Sequence, residues 1–143
     1  MGVIVPYKEI FKLKVMLDKA NIPYEFLDRS YVNYDKHDIQ YPFYQIIVYE
    51  PIEYEKPIRL ISVIQGHGSY GENLDLLEIQ GCLTNKEEKE DSVKGYLTAN
   101  EVFKRIKKNY NKLLEEDKFQ EIPLFEGTME QLDNLTILKE EGK

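Results

Sequence analysis

The chain has 143 residues, 42% of them hydrophobic and 31% charged, the balance expected of one soluble globular domain rather than a disordered or membrane segment. At this length a fold buries about 68–70% of the surface that the unfolded chain exposes, so a core needs neither a structural metal nor a disulfide. The 19 Lys and Arg against 26 Asp and Glu give a formal charge of −7, opposite in sign to the basic footprint of proteins that bind nucleic-acid backbones.

From the N-terminus, Pro6 precedes Tyr7–Lys19, where Ile10, Phe11, Leu13, Met16 and Leu17 recur at helical spacing, predicting a first helix. Asn21 and Pro23 close it, because asparagine tolerates a left-handed cap and proline moves Ile22 out of the helical region. Tyr24–Leu27 reads as a short strand, and Asp28–Gln40, without apolar periodicity, as a long loop or irregular hairpin. Tyr41–Tyr49 and Pro57–Gln65 are rich in β-branched and aromatic residues and are expected to pair as central antiparallel strands. The segment Gly66-His67-Gly68-Ser69-Tyr70-Gly71 has three glycines in six residues and is expected to be a turn or loop. The sheet resumes at Leu76–Gln80. Thr84 and Glu87 have capping-box spacing before a short charged helix, and Thr98 and Glu101 repeat that spacing before Ala99–Leu114. In that second long helix Val102, Phe103, Ile106 and Tyr110 are expected to line the core. Lys104, Arg105, Lys107, Lys108 and Lys112 read as its solvated face rather than a nucleic-acid patch.

These elements predict an α+β fold: an antiparallel sheet of three to five strands packed against an N-terminal and a C-terminal helix. The body is expected at residues 4–117. Residues 118–143, with Ile122-Pro123-Leu124-Phe125 and a weak helix at Met129–Leu135, form an appendage that packs on the domain or on a partner subunit, and Lys139–Lys143 fray. Apolar surface there and an open sheet edge predict a homodimer or higher homo-oligomer. No apolar run reaches the roughly 18–20 residues of a bilayer span, and the lone Cys82 cannot form an internal disulfide, so a cytoplasmic protein with no membrane partner is expected.

No Gly-Lys-Ser/Thr phosphate loop occurs, and the 66–71 segment lacks dinucleotide-fingerprint spacing. His37 and His67 are the only histidines and Cys82 the only cysteine, with no local metal-ligand spacing, so no metal and no cofactor are expected. The glycine loop supports two readings. Its backbone can approach a ligand closely and cradle an anion, with His67, Ser69 and Tyr70 adding donors and a ring; or it is a structural turn with His67 exposed and Tyr70 packed back on the sheet. His67 and Ser69 lack an identifiable orienting acid, so no catalytic residue is assigned. Arg59, on a strand, is a candidate phosphate or carboxylate partner or a cross-strand partner of Glu53 or Glu55. Eleven tyrosines and no tryptophan add stackable rings with polar ends. The candidate ligand site is therefore Arg59, Gly66, His67, Gly68, Ser69, Tyr70, Gly71 and Tyr96, and it requires Asp91-Ser92 and Gly95-Tyr96 to lie beside the glycine loop.

Over Ser62-Val63-Ile64-Gln65, Gly68-Ser69-Tyr70-Gly71, Leu76–Gly81 and Asp91–Thr98 into Glu101–Ile106, the chain resembles small uncharacterised phage and prophage proteins of Gram-positive bacteria. The resemblance covers most of residues 8–110; its most specific parts are the Ser-Tyr-Gly loop and Gly-Tyr-Leu-Thr before the second long helix. It implies a genomic setting rather than a mechanism. By analogy with small phage proteins that act by stoichiometric binding, the expected function is a non-enzymatic sponge for a nucleotide-derived immune signal. The alternatives are an acidic inhibitor of a host defence protein and a small enzyme acting on a nucleotide, the last disfavoured because no acid, base and nucleophile set emerges.

Overall fold

The computed structural model describes residues 7–33 and 39–121. The chain divides into two units, Met1–Leu113 and Leu114–Lys143. The first holds every described strand and the core; of the second, the described part is helical backbone. The expectations for Ile122–Phe125, Met129–Leu135 and Lys139–Lys143 lie outside the described residues.

Helix α1, Glu9–Lys19, buries Ile10, Leu13 and Leu17, the i, i+3, i+7 stripe of its sequence. Asn21 takes the left-handed conformation at φ 57° and ends it. Strand β1, Glu25–Asp28, leads into a two-stranded ribbon, β2 (Tyr31–Asn33) with β3 (Ile39–Tyr41), so the long 28–40 segment contains a hairpin. Then follow β4 (Phe43–Tyr49), β5 (Arg59–Gly66), a single 3-10 turn at Glu72–Leu74, β6 (Leu77–Gln80), the short helix α2 (Asn85–Glu90), β7 (Lys94–Leu97) and helix α3 (Ala99–Glu121).

The main sheet has the order β1-β4-β5-β6-β7, every neighbouring pair antiparallel, which is an α+β fold. Two boundaries differ from the sequence reading. Gly66 is the last residue of β5 rather than the first of a loop, paired with Phe43; and α3 runs through Glu121 rather than stopping at Leu114. Strand β7 has no counterpart among the predicted elements.

Ile46 and Val48, Ile61 and Val63, Leu77 and Ile79, and Leu97 share a cluster with the α1 stripe and with Ala99, Val102 and Ile106 of α3. Alternation along each strand sends these residues to the helix-covered face. Phe103 and Tyr110 are only partly buried, at the margin of the cluster, not in its interior as periodicity alone suggests. Among the described residues, no helix is long and apolar enough to cross a membrane.

Arg105 departs from the solvated-face reading. Its Nη1 and Nη2 each donate to Glu87 at 2.8 Å, and Nη1 also donates to the Cys82 carbonyl at 3.0 Å. Glu87 closes the capping box of α2 with Thr84, so one carboxylate ties α2 to α3. The Arg105 hydrogen bonds, aided by the Thr84 amide and Lys94 and opposed by desolvation, hold the Glu87 carboxyl down at about 2 from 4.5. A depressed carboxyl stabilises the fold above its unfolded value, and that contribution is lost as pH falls from about 4.5 to about 2. We expect Arg105→Ala to cost about 1–3 kcal/mol at pH 7, with the gap from wild type closing across that acid window in denaturant titrations. A gap independent of pH would show that the ion pair is not its source.

Candidate functional site

The loop after β5 is closed by its own serine. Ser69 is buried; its amide donates to the Gly66 carbonyl at 3.0 Å, its hydroxyl donates to the same carbonyl at 2.8 Å and accepts from the Gly66 amide at 3.0 Å. Gly68 and Gly71 take φ of 88° and 98°, which the turn requires and a side chain would strain. Because the serine hydroxyl is committed to the backbone, it is not presented as a nucleophile.

The loop amides that were candidates for cradling an anion already hold carboxylates. The Gly68 amide donates to Glu72 Oε1 at 2.9 Å and the Tyr70 amide to Glu78 Oε1 at 2.8 Å. Glu72 is a hub: its Oε2 accepts from the Tyr7 hydroxyl at 3.2 Å and lies 3.5 Å from His67 Nδ1. Burial, then the charge of Glu72, pushes the Tyr7 phenol up to about 12. The His67 ring packs on Tyr41, with centroids 4.5 Å apart, and Tyr41 packs on Tyr31 at 5.2 Å. Glu72 thus supplies the acid beside His67 that the sequence reading did not identify. It also makes the loop electronegative, which disfavours a phosphate at that point.

On its other side the loop meets β7. A methyl on Gly95 would overlap the Cβ of Tyr70, so only glycine allows the two backbones to approach this closely. The Tyr96 amide faces the Tyr70 carbonyl at 3.5 Å, and Tyr96 itself stands at φ 62°, strained for an aromatic residue. Tyr70 and Tyr96, 51% and 59% exposed, come from separate elements to one pocket of about 330 Å³. Glu87, Glu90, Asp91, Val93, Lys94 and Gly95 complete its lining. The 66–71 and 91–96 segments therefore do lie side by side.

Arg59 does not join them. It starts β5 and Gly66 ends it, so the strand's rise separates the two by roughly 23 Å; Arg59 instead pairs with Tyr49 of β4. Around the pocket, Lys94 lies 3.7 Å from Glu87, which also carries Arg105, and these three groups sum to one positive charge. Glu90, Asp91 and the nearby Glu78 oppose it with three negative charges, and no salt bridge engages them among the described residues. Sequence reasoning missed Glu72, Glu78 and Glu90; Glu72, five residues beyond His67, was the one close enough in sequence to be found. Burial pushes the Cys82 thiol up to about 11, away from the reactive thiolate. No cluster of three or more His, Cys, Asp or Glu suited to a metal occurs among the described residues. Compared with protein-family models, curated proteins and solved structures, the chain matches none.

Proposed function

We propose that this is a non-enzymatic binding protein that engages a basic partner protein through the pocket between Tyr70 and Tyr96. The observation that carries this reading is the pair of half-exposed rings beside a surplus of carboxylates. A lysine or arginine side chain over a tyrosine face gains about 0.5–2 kcal/mol, and Glu90 and Asp91 add direct electrostatic attraction. The chain's charge of −7 steers a basic partner toward the protein and makes the encounter salt-dependent. In the phage setting that the resemblance implies, the partner is a host protein, and the action is stoichiometric inhibition.

A second reading, sequestration of a nucleotide-derived signal, is favoured by the ring pair itself, because each tyrosine can stack on a base and Lys94 is a cation in the pocket lining. Against it stand the carboxylates on the loop amides and the distance of Arg59. Calorimetric titration with a lysine- and arginine-rich peptide, and separately with a panel of nucleotides, distinguishes the two. We expect peptide binding that weakens with salt and falls roughly tenfold in either Tyr70→Ala or Tyr96→Ala, the loss of about 1.4 kcal/mol. Binding of nucleotides but not peptide would replace the first reading with the second. If neither bound, or if both folded variants bound as wild type does, this pocket would not be the site.

A further inference from the structure

At the opposite end of the sheet, where β1 begins and β4 ends, a cleft of about 300 Å³ is walled by three half-buried tyrosines: Tyr24, Tyr49 and, from α3, Tyr110. We infer that this cleft binds an extended, proline-containing segment of a protein partner, with a lysine or arginine beside the prolines. The inference does not depend on the Tyr70–Tyr96 pocket, which lies at the Gly66 end of the sheet.

Three features select that occupant. First, two of the rings are fixed before any ligand arrives: the Tyr24 hydroxyl donates to Asp18 at 2.8 Å and the Tyr49 hydroxyl to Glu25 at 2.9 Å. Rings held in this way lose little rotamer freedom on binding, and a polyproline II segment, whose backbone is already stiff, loses little of its own. Second, the Tyr110 hydroxyl has no hydrogen-bond partner among the described residues, and Tyr110 is one of the residues lining the cleft. A polyproline II backbone makes no internal hydrogen bonds, so its carbonyls are free acceptors for a phenol donor set among aromatic rings. Third, Glu25 and Glu50 stand at the cleft, and the hydroxyls they accept from Tyr49 and Tyr54 leave both charges uncancelled. Arg59, close enough to interact with the Tyr49 hydroxyl, brings one positive charge to the same end of the sheet. The remainder suits one basic residue flanking the prolines rather than a polycationic tract.

The test is an NMR titration of the full chain with two synthetic peptides, Arg-Ala-Leu-Pro-Pro-Leu-Pro and the same peptide with alanine at each proline. The expected result is saturable shifts of the Tyr24, Tyr49 and Tyr110 ring signals with the first peptide only. Tyr110→Phe keeps the ring and removes the donor, and should weaken binding about three- to tenfold with the fold intact. Tyr70→Ala, at the other pocket, should leave this binding unchanged, so failure of one site is distinguishable from failure of the other. Equal binding of the proline-free peptide would assign the cleft to charge alone and overturn the inference. So would an absence of shifts at millimolar peptide, or Tyr110→Phe binding as wild type does.

Discussion

Replacing Gln65 with glutamate should destabilise the protein by about 3–5 kcal/mol at neutral pH and far less in acid. Gln65 is fully buried in β5. Its Oε1 accepts from the Ile10 amide at 3.0 Å, and its Nε2 donates to Asp75 Oδ1 at 2.6 Å. The same Asp75 oxygen accepts from the Lys8 and Glu9 amides at 2.9 and 3.3 Å. Lys8 offers α1 no side-chain cap of its own, so these two side chains, from β5 and the turn after it, satisfy the amides that open the helix. A carboxylate at position 65 keeps the Ile10 contact but sets an anion against Asp75 in a buried place. Burial and Asp75 raise the introduced carboxyl's folded pKa above its unfolded value of about 4.3. Below that value the protonated carboxyl donates to Asp75 much as the amide does, so the deficit is small; it grows as pH rises toward the folded pKa. Gln65→Leu loses both hydrogen bonds at every pH and is the control. Chemical denaturation from pH 3.5 to 7.5 measures the slope, and a Gln65→Glu deficit that is flat across this range would refute the buried bridge. Because Gln65 directly precedes the 66–71 loop, weakening it also loosens the platform that presents Tyr70.

The features legible in the sequence are those whose physics is local. The apolar stripe of α1, the positive φ at Asn21, and the capping boxes at Thr84 and Thr98 depend on residues a few positions apart, and each takes its expected form. Strand β7 was not legible, because Lys94-Gly95-Tyr96-Leu97 contains a glycine and sends only Leu97 into the core. Its place against the loop depends on what Gly95 lacks, not on a pattern of side chains. The cross-element caps were hidden for a different reason. Glu9 accepts from the Ala99 amide at 2.7 Å, and Gln65 from Ile10, across separations of 90 and 55 residues that no periodicity encodes. Arg59 was chosen by residue type, as an anion partner on a strand, but Arg59 and Gly66 are the two ends of β5, and seven positions of extended strand keep it away from the loop. His67, Tyr70 and Tyr96 were found by residue type, whereas the carboxylates that set the charge of their surroundings were not.

Ile106→Ala should cost about 2–5 kcal/mol and Phe103→Ala only about 1–2, the reverse of the order that side-chain size suggests. Both residues fall on the apolar stripe of α3, and sequence periodicity does not rank them. Ile106 and Val102, four residues apart, are completely buried and sit in one cluster with sheet residues such as Val63 and Ile79. Phe103 is turned about 100° from Val102 on the helix and reaches only the margin of that cluster. A ring already part-hydrated in the folded state loses less transfer free energy when truncated and leaves an opening that water can fill, whereas removing the Ile106 side chain leaves a dry cavity that its neighbours must collapse around. Urea denaturation of the two single variants gives the comparison directly, and a larger loss for Phe103→Ala would mean that α3 is rotated on the sheet. Such a rotation would also break the Arg105–Glu87 bridge, since Arg105 and Ile106 are adjacent. A correct order of the two costs, together with an acid-sensitive Arg105→Ala deficit, therefore tests the orientation of the helix from two sides.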